Sequence, residues 1–291
     1  MADAENSQPK PRIPMIPTVA KHNVIYLVLI LSLLAYSVFV TIAVYRDSHP
    51  VPKVPEGKPA YLPTDISDLY DFITKTKGTC FEPNIVPGTS IRKGENTTLS
   101  GHEGTYICLD GIPSTPDECR IYSFAFNRDD VKFENQMGKR GCRVHLVSGK
   151  TEYSYTPLGN NVYLYPLTLS NVTTIGKYTL DNFINLMSHM NKPIHYVKTE
   201  EKDSEWTFLQ TLYTSSYKAP YYIKQLRLLL HLPLGNDDSI SELLEKYKLL
   251  LGLEYYGYKL LYSRPIPGTT YFHLNLDKEV ATKYETVWVR P

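Results

Sequence analysis

Cys119–Val147 reads CRIYSFAFNRDDVKFENQMGKRGCRVHLV, and its rhythm decides the fold. Arg120–Phe126 is short, apolar and aromatic, which suits a strand. Asp129–Arg140 follows with Val131, Phe133, Glu134 and Met137 at helical spacing, and Gly141 stops it. Arg143–Val147 returns to strand chemistry. A strand, a helix of about ten residues and a second strand is the spacing of a right-handed βαβ unit with parallel strands. The alternation continues downstream. Strands are expected at Asn161–Leu167, Ile194–Lys198, Tyr258–Ser263 and Glu285–Val289, and helices at Leu180–Met190, Ser204–Tyr213 and Ile240–Leu251. Ile223–Leu232 fits either type, because a short unbroken apolar run has no period to read. The fold class is therefore α/β, a doubly wound Rossmann-like sheet, whose ligands sit at the carboxyl ends of the strands near the topological switch point.

Upstream, Asp65–Lys77 reads as a helix with Thr64 or Asp65 as N-cap and Gly78 as its stop. Residues 79–118 are rich in Gly, Pro and Thr and read as loops around one strand at Thr105–Leu109. His49–Pro63 carries five prolines and reads as a stiff, extended stem. Before it lies Val24–Val44, VIYLVLILSLLAYSVFVTIAV, with no charge, proline or glycine. About 20 such residues span a hydrocarbon core. The run is too long for the apolar region of a signal peptide and ends in Val44-Tyr45-Arg46 rather than small residues. It reads as an uncleaved anchor whose partner is membrane lipid. Residues 1–23, with four prolines, read as a disordered tail.

Flanking cations are nearly balanced, so the positive-inside rule does not orient the anchor. Asn96-Thr97-Thr98 and Asn171-Val172-Thr173 are glycosylation acceptors that matter only in a lumen. All four cysteines also follow the anchor. The expected topology is type II, with the body in the Golgi or endoplasmic reticulum lumen or at the cell surface. The expected divisions are tail 1–23, anchor 24–45, stem 46–63, an extension 64–118 and the α/β domain 119–291.

Charge excludes one broad class of partner. The chain holds 31 Lys and Arg against 30 Asp and Glu, so no basic excess exists to neutralise nucleic-acid phosphates. The 24 tyrosines suit half-buried strand surfaces. The histidines show no i, i+3 or i, i+4 pairing and the cysteines no CxxC, so no metal site is expected. Neither a GxSxG elbow nor a GxxxxGK[ST] phosphate loop occurs, which removes the usual footing of hydrolases and nucleoside triphosphatases. The first βα turn, Ser123–Asp129, contains no glycine, although a close ligand approach favours one there. The second strand ends in Val147-Ser148-Gly149, without the carboxylate that would hold a ribose diol. No catalytic residue is legible.

A family resemblance runs in order over residues 78–291. The strand beginning at Cys119, the Phe133-Glu134 pair and Gly141–His145 resemble the "VYSFG", "SFE" and "GCEVHAFD" segments of the animal membrane-anchored methyltransferase-like domains. Cys108-Leu109-Asp110 is similar to that family's "CLD". Ile194–Trp206 resembles "IDYLKIDIEGSEW", Lys224–Pro233 resembles "QLLLEIHLP", and Gly257–Leu261 resembles "GFRLF". The resemblance implies a methyltransferase fold, S-adenosylmethionine as cofactor, and cofactor contacts at Ser123, Ala125, Asn127, Ser148 and Glu200. Several of these are substitutions: Ala125 replaces the first-turn glycine, Ser148 replaces the ribose-binding Asp, and Glu200 replaces an Asp. Lys202, Asp203 and Leu229 depart as well. The implied cofactor binding is weak or absent, and the alternative reading is a non-catalytic binding or structural protein on the same fold.

Four cysteines allow three pairings. Cys119 and Cys142 each lie five residues before the end of neighbouring parallel strands, which places them side by side at the bottom edge of the sheet, within disulfide reach. Cys80 and Cys108 are then left to pair. If the body instead faced the cytosol, all four would remain thiols.

Overall fold

The computed structural model describes residues 30–37, 65–87, 104–124, 131–149, 155–200, 202–234, 239–273 and 276–291. The chain divides into two units, Met1–Pro52 and Lys53–Pro291. In the first, residues 30–37 form a helix, α1, whose Ile30, Leu31, Leu33 and Leu34 are exposed. Among the described residues no helix is long and apolar enough to cross a membrane. Most of Val24–Val44, the tail, the stem and Asn96 lie outside the described residues.

The second unit opens with α2 (Ile66–Thr74), whose N-cap Asp65 accepts from the Ser67 backbone N–H. Strands β1 (Pro83–Pro87) and β2 (Gly104–Cys108) pair antiparallel. Residues 83–87 were expected to be loop. Their prolines stand at the two ends of a short strand paired on one side only, where a missing N–H is tolerated.

Next come β3 (Arg120–Phe124), α3 (Lys132–Lys139) and β4 (Arg143–Val147), the expected βαβ unit. They are followed by β5 (Thr156–Gly159), β6 (Val162–Tyr165), β7 (Thr168–Leu169), β8 (Lys177–Tyr178) and α4 (Leu180–Leu186). Then come β9 (Tyr196–Thr199), α5 (Ser204–Tyr213) and β10 (Gln225–His231). The chain closes with α6 (Ile240–Tyr255), β11 (Lys259–Pro265), β12 (Thr270–His273), β13 (Lys278–Ala281) and β14 (Lys283–Val289). Within the ambiguous run 223–232, Gln225–His231 is a strand because both of its faces are covered, leaving only Leu229 of the strand partly open.

The main sheet has eight strands in the order β11-β14-β10-β9-β3-β4-β6-β5. The five from β10 to β6 are parallel, while β14, β11 and β5 run antiparallel to their neighbours. From β3 the chain moves outward through β4 to β6, then returns to the other side as β9 and β10. The switch point therefore lies between β3 and β9. One face packs Tyr122, Phe124, Val197 and Leu228 against α2, α4, α5 and α6. The other packs Ile121, Val144, Leu146 and Tyr196 against α3 and the β1–β2 hairpin.

Both expected disulfides form. Cys119–Cys142 has a Cα separation of 4.6 Å, and Cys80–Cys108 one of 5.9 Å. The register that predicts the first is present: Arg120 pairs with Arg143, and the Arg143 N–H donates to the Cys119 carbonyl.

Candidate functional site

The switch point directs attention to the carboxyl ends of β3, β4, β9 and β10. Ser123 on β3, Lys198 on β9 and Arg227 on β10 are register partners in neighbouring strands, so their side chains share one sheet face. That face carries a continuous polar ladder. Ser123 Oγ donates to Glu134 Oε1 at 2.9 Å, and Lys198 Nζ meets the same oxygen at 2.7 Å. Lys198 also meets Glu200 Oε1 at 3.1 Å, and Arg227 reaches Glu200 at 3.0 Å and Glu285 on β14 at 3.0 Å. Arg264 on β11 closes the series on Glu285 Oε2 at 2.6 Å.

Three cations thus alternate with three carboxylates across five strands and α3, and four of the six, Glu134, Lys198, Arg227 and Glu285, are buried. Burial alone would discharge Lys198, but Glu134 and Glu200 more than offset it and hold the ammonium above its ordinary range. Burial likewise opposes the charge on Glu200, and Lys198 and Arg227 override it, lowering its pKa. Arg227 is held high in the same way by Glu285 and Glu200.

The five positions implied as cofactor contacts do not converge in the described structure. Ala125 and Asn127 lie outside the described residues. Ser123 is fully buried and turned to Glu134. Ser148 is buried beyond β4, with its N–H donating to the Tyr165 carbonyl. The next residue, Gly149, is so close to β7 that a Cβ there would lie 1.9 Å from Thr168 Oγ1. Glu200 is committed to two cations. S-adenosylmethionine requires a carboxylate or its equivalent for the ribose diol; Ser148 supplies none, and Glu200 holds Lys198 and Arg227 through its Oε1.

A second arrangement escaped the sequence reading. Glu205, at the start of α5, accepts from the His231 backbone N–H at 2.8 Å and meets His231 Nδ1 at 3.1 Å. Trp206 Nε1 donates to the His231 carbonyl, and Lys246 lies over the Trp206 ring. A carboxylate on Nδ1 fixes the imidazole tautomer and leaves Nε2 as the proton-accepting nitrogen, the geometry of an oriented general base. The signal available in the sequence was the charged residue inside an apolar strand, at Lys198, Arg227, His231 and Glu285. The pairings themselves are contacts between distant segments. No histidine enters a metal-ligating group among the described residues. The one such group, Cys80, Cys108 and Asp110, contains a disulfide.

No family model matches the chain, and no solved structure matches it. Over 179 residues the chain is 23% identical to the human "Probable methyltransferase-like protein 24", a match covering 56% of this chain and 48% of that protein. The chain spans about half the length of the curated relative it matches. This chain is similar, distantly, to a methyltransferase-like protein, and its mixed sheet is compatible with a Rossmann-like fold.

Proposed function

We propose that this is a single-pass type II membrane protein that displays a methyltransferase-like domain in the secretory lumen or at the cell surface, with a degenerate S-adenosylmethionine site. The observation that carries the degenerate site is the commitment of Glu200 to Lys198 and Arg227. Ser148 and the close packing of Gly149 on Thr168 support it. The anchor rests on the composition of Val24–Val44 and on the exposed apolar side chains of residues 30–37. The lumenal side is supported by two disulfides and by an exposed Asn171 acceptor.

A second reading, a non-catalytic binding or structural module on this fold, is favoured by Ser148, which stands where a carboxylate would hold the ribose diol. The oriented His231 favours retained proton-transfer chemistry. Calorimetric titration of S-adenosylmethionine into the full chain separates them. Little or no binding is expected; micromolar affinity, about −8 kcal/mol, would overturn the degenerate site. In Ser148→Asp, affinity should rise if only the ribose contact is missing.

A further inference from the structure

At the opposite end of the sheet lies a cleft that none of the foregoing uses. It has a volume of about 570 Å³, within the range of small-molecule sites, and is formed where the amino ends of β10 and β11 meet the carboxyl end of β14. Lys224, Lys259 and Arg290 come to its wall from three separate segments, and Lys77 from the turn after α2. Lys77 is paired with Glu254 at 2.5 Å. Among the described residues, Lys224, Lys259 and Arg290 have no carboxylate partner.

One side-chain carboxylate, Asp110, shares the lining, and no ion pair joins it to these three cations among the described residues. Asp110 accepts from the backbone N–H groups of Phe81 and Glu82 at 2.8 Å each, so both its oxygens are engaged. His195 is held neutral at neutral pH, pushed down to about 4 by burial and by Arg120 and Lys224. Burial and the adjacent Arg290 lower the Lys224 pKa, the mark of cations gathered without a counter-charge. The Arg290 guanidinium lies over the Tyr221 ring and its Nη2 donates to the Tyr221 carbonyl, while its Nε is buried without a hydrogen-bond partner among the described residues.

The walls are fixed rather than loose. Gln225 donates to the Cys108 carbonyl at 2.6 Å and accepts from the Cys108 N–H at 3.1 Å, clamping the hairpin to the sheet beside the Cys80–Cys108 disulfide. Ile112 and Val289 add an apolar patch to the same wall.

We infer that this cleft binds a small anionic molecule through a phosphate or sulfate group held by Lys224, Lys259 and Arg290. The two anions share tetrahedral geometry and peripheral acceptor oxygens, which suit converging ammonium and guanidinium donors. The site is separate from the switch-point crevice, so its failure and that of the S-adenosylmethionine reading are independent.

The test is calorimetric titration of the full chain with inorganic phosphate and, separately, inorganic sulfate, at ionic strength matched with chloride. Saturable binding of at least one anion is expected, and the tighter one identifies the ester class. Lys224→Gln with Lys259→Gln should weaken it at least about tenfold, while Lys283→Gln, at the far end of β14, should leave it unchanged. Neither lysine has a side-chain partner among the described residues, so unliganded thermal midpoints should match wild type. No saturable binding of either anion, or equal binding by the double variant, would overturn the inference.

Discussion

Lys198 shows how much a single residue can hold. Its ammonium lies between Glu134 and Glu200 and 4.9 Å from the Phe133 ring centroid, with 3% of its side chain exposed. Lys198→Met would leave Glu134 charged in a fully buried site, and breaking such a pair costs about 3–5 kcal/mol. Urea unfolding should show that loss, and adding Glu134→Gln should recover much of it; simple additivity would argue against the pairing. Histidine sets the acid limit. His145 and His189 are buried together beside Tyr122, with His189 Nδ1 2.7 Å from the Tyr122 hydroxyl. Burial first, and then His189 and nearby arginines, push His145 from 6.5 down to about 3. The unfolded chain therefore binds more protons between those values, and stability falls as pH drops through that window. The slope is at most about 1.4 kcal/mol per pH unit for each such histidine. His145→Phe should flatten the acid limb of a stability–pH curve; an unchanged slope would place the acid sensitivity elsewhere.

At the scale of elements, α3 is fixed by contact and by covalent chemistry. A Cβ at Gly138 would stand 1.9 Å from the Asn160 carbonyl oxygen and 2.9 Å from a Val162 methyl. The helix thus lies on the backbone of the β5–β6 turn, which has little room to give. Gly138→Ala should destabilise by about 1–3 kcal/mol, the usual range for overpacking, despite alanine's better helix propensity. A thermal melt that improves instead would show that the turn moves away freely. The same βαβ unit is closed at its base by Cys119–Cys142, 23 residues apart. Replacing both cysteines with serine should cost about 3 kcal/mol on the chain-entropy model. Non-reducing peptide mapping should recover Cys119–Cys142 and Cys80–Cys108 crosslinks; a Cys108–Cys119 peptide would contradict the strand register.

For the whole molecule, the proposed type II anchor is tested by protease protection and glycosylation. In sealed microsomes the body should resist added protease until detergent is present, and glycosidase should shift mobility through Asn171, Asn96 or both. Digestion of the body in intact vesicles would sink the type II proposal. The clustering of the domain's charge follows the sheet topology: the cation–carboxylate ladder fills the carboxyl half of one face, while the uncompensated lysines gather at the amino end. Net charge near zero conceals this division completely.

The amino-acid sequence alone determined the βαβ unit at 120–147, the parallel core and the Cys119–Cys142 pairing, because helix and strand periods and strand register are local or nearest-neighbour properties. It missed β1, whose two prolines disguise a short strand that exists only through its pairing with β2. It also left 223–232 undecided, since an apolar run covered on both faces has no alternation to read. Among the candidate site residues, Ser123, Ser148 and Glu200 were visible as positions, but their engagements were not. Glu200 belongs to a ladder assembled from β3, α3, β9, β10, β14 and β11. Only the tertiary structure decides that, because the charge that neutralises a buried carboxylate can come from a strand many residues away, and burial makes the pairing obligatory.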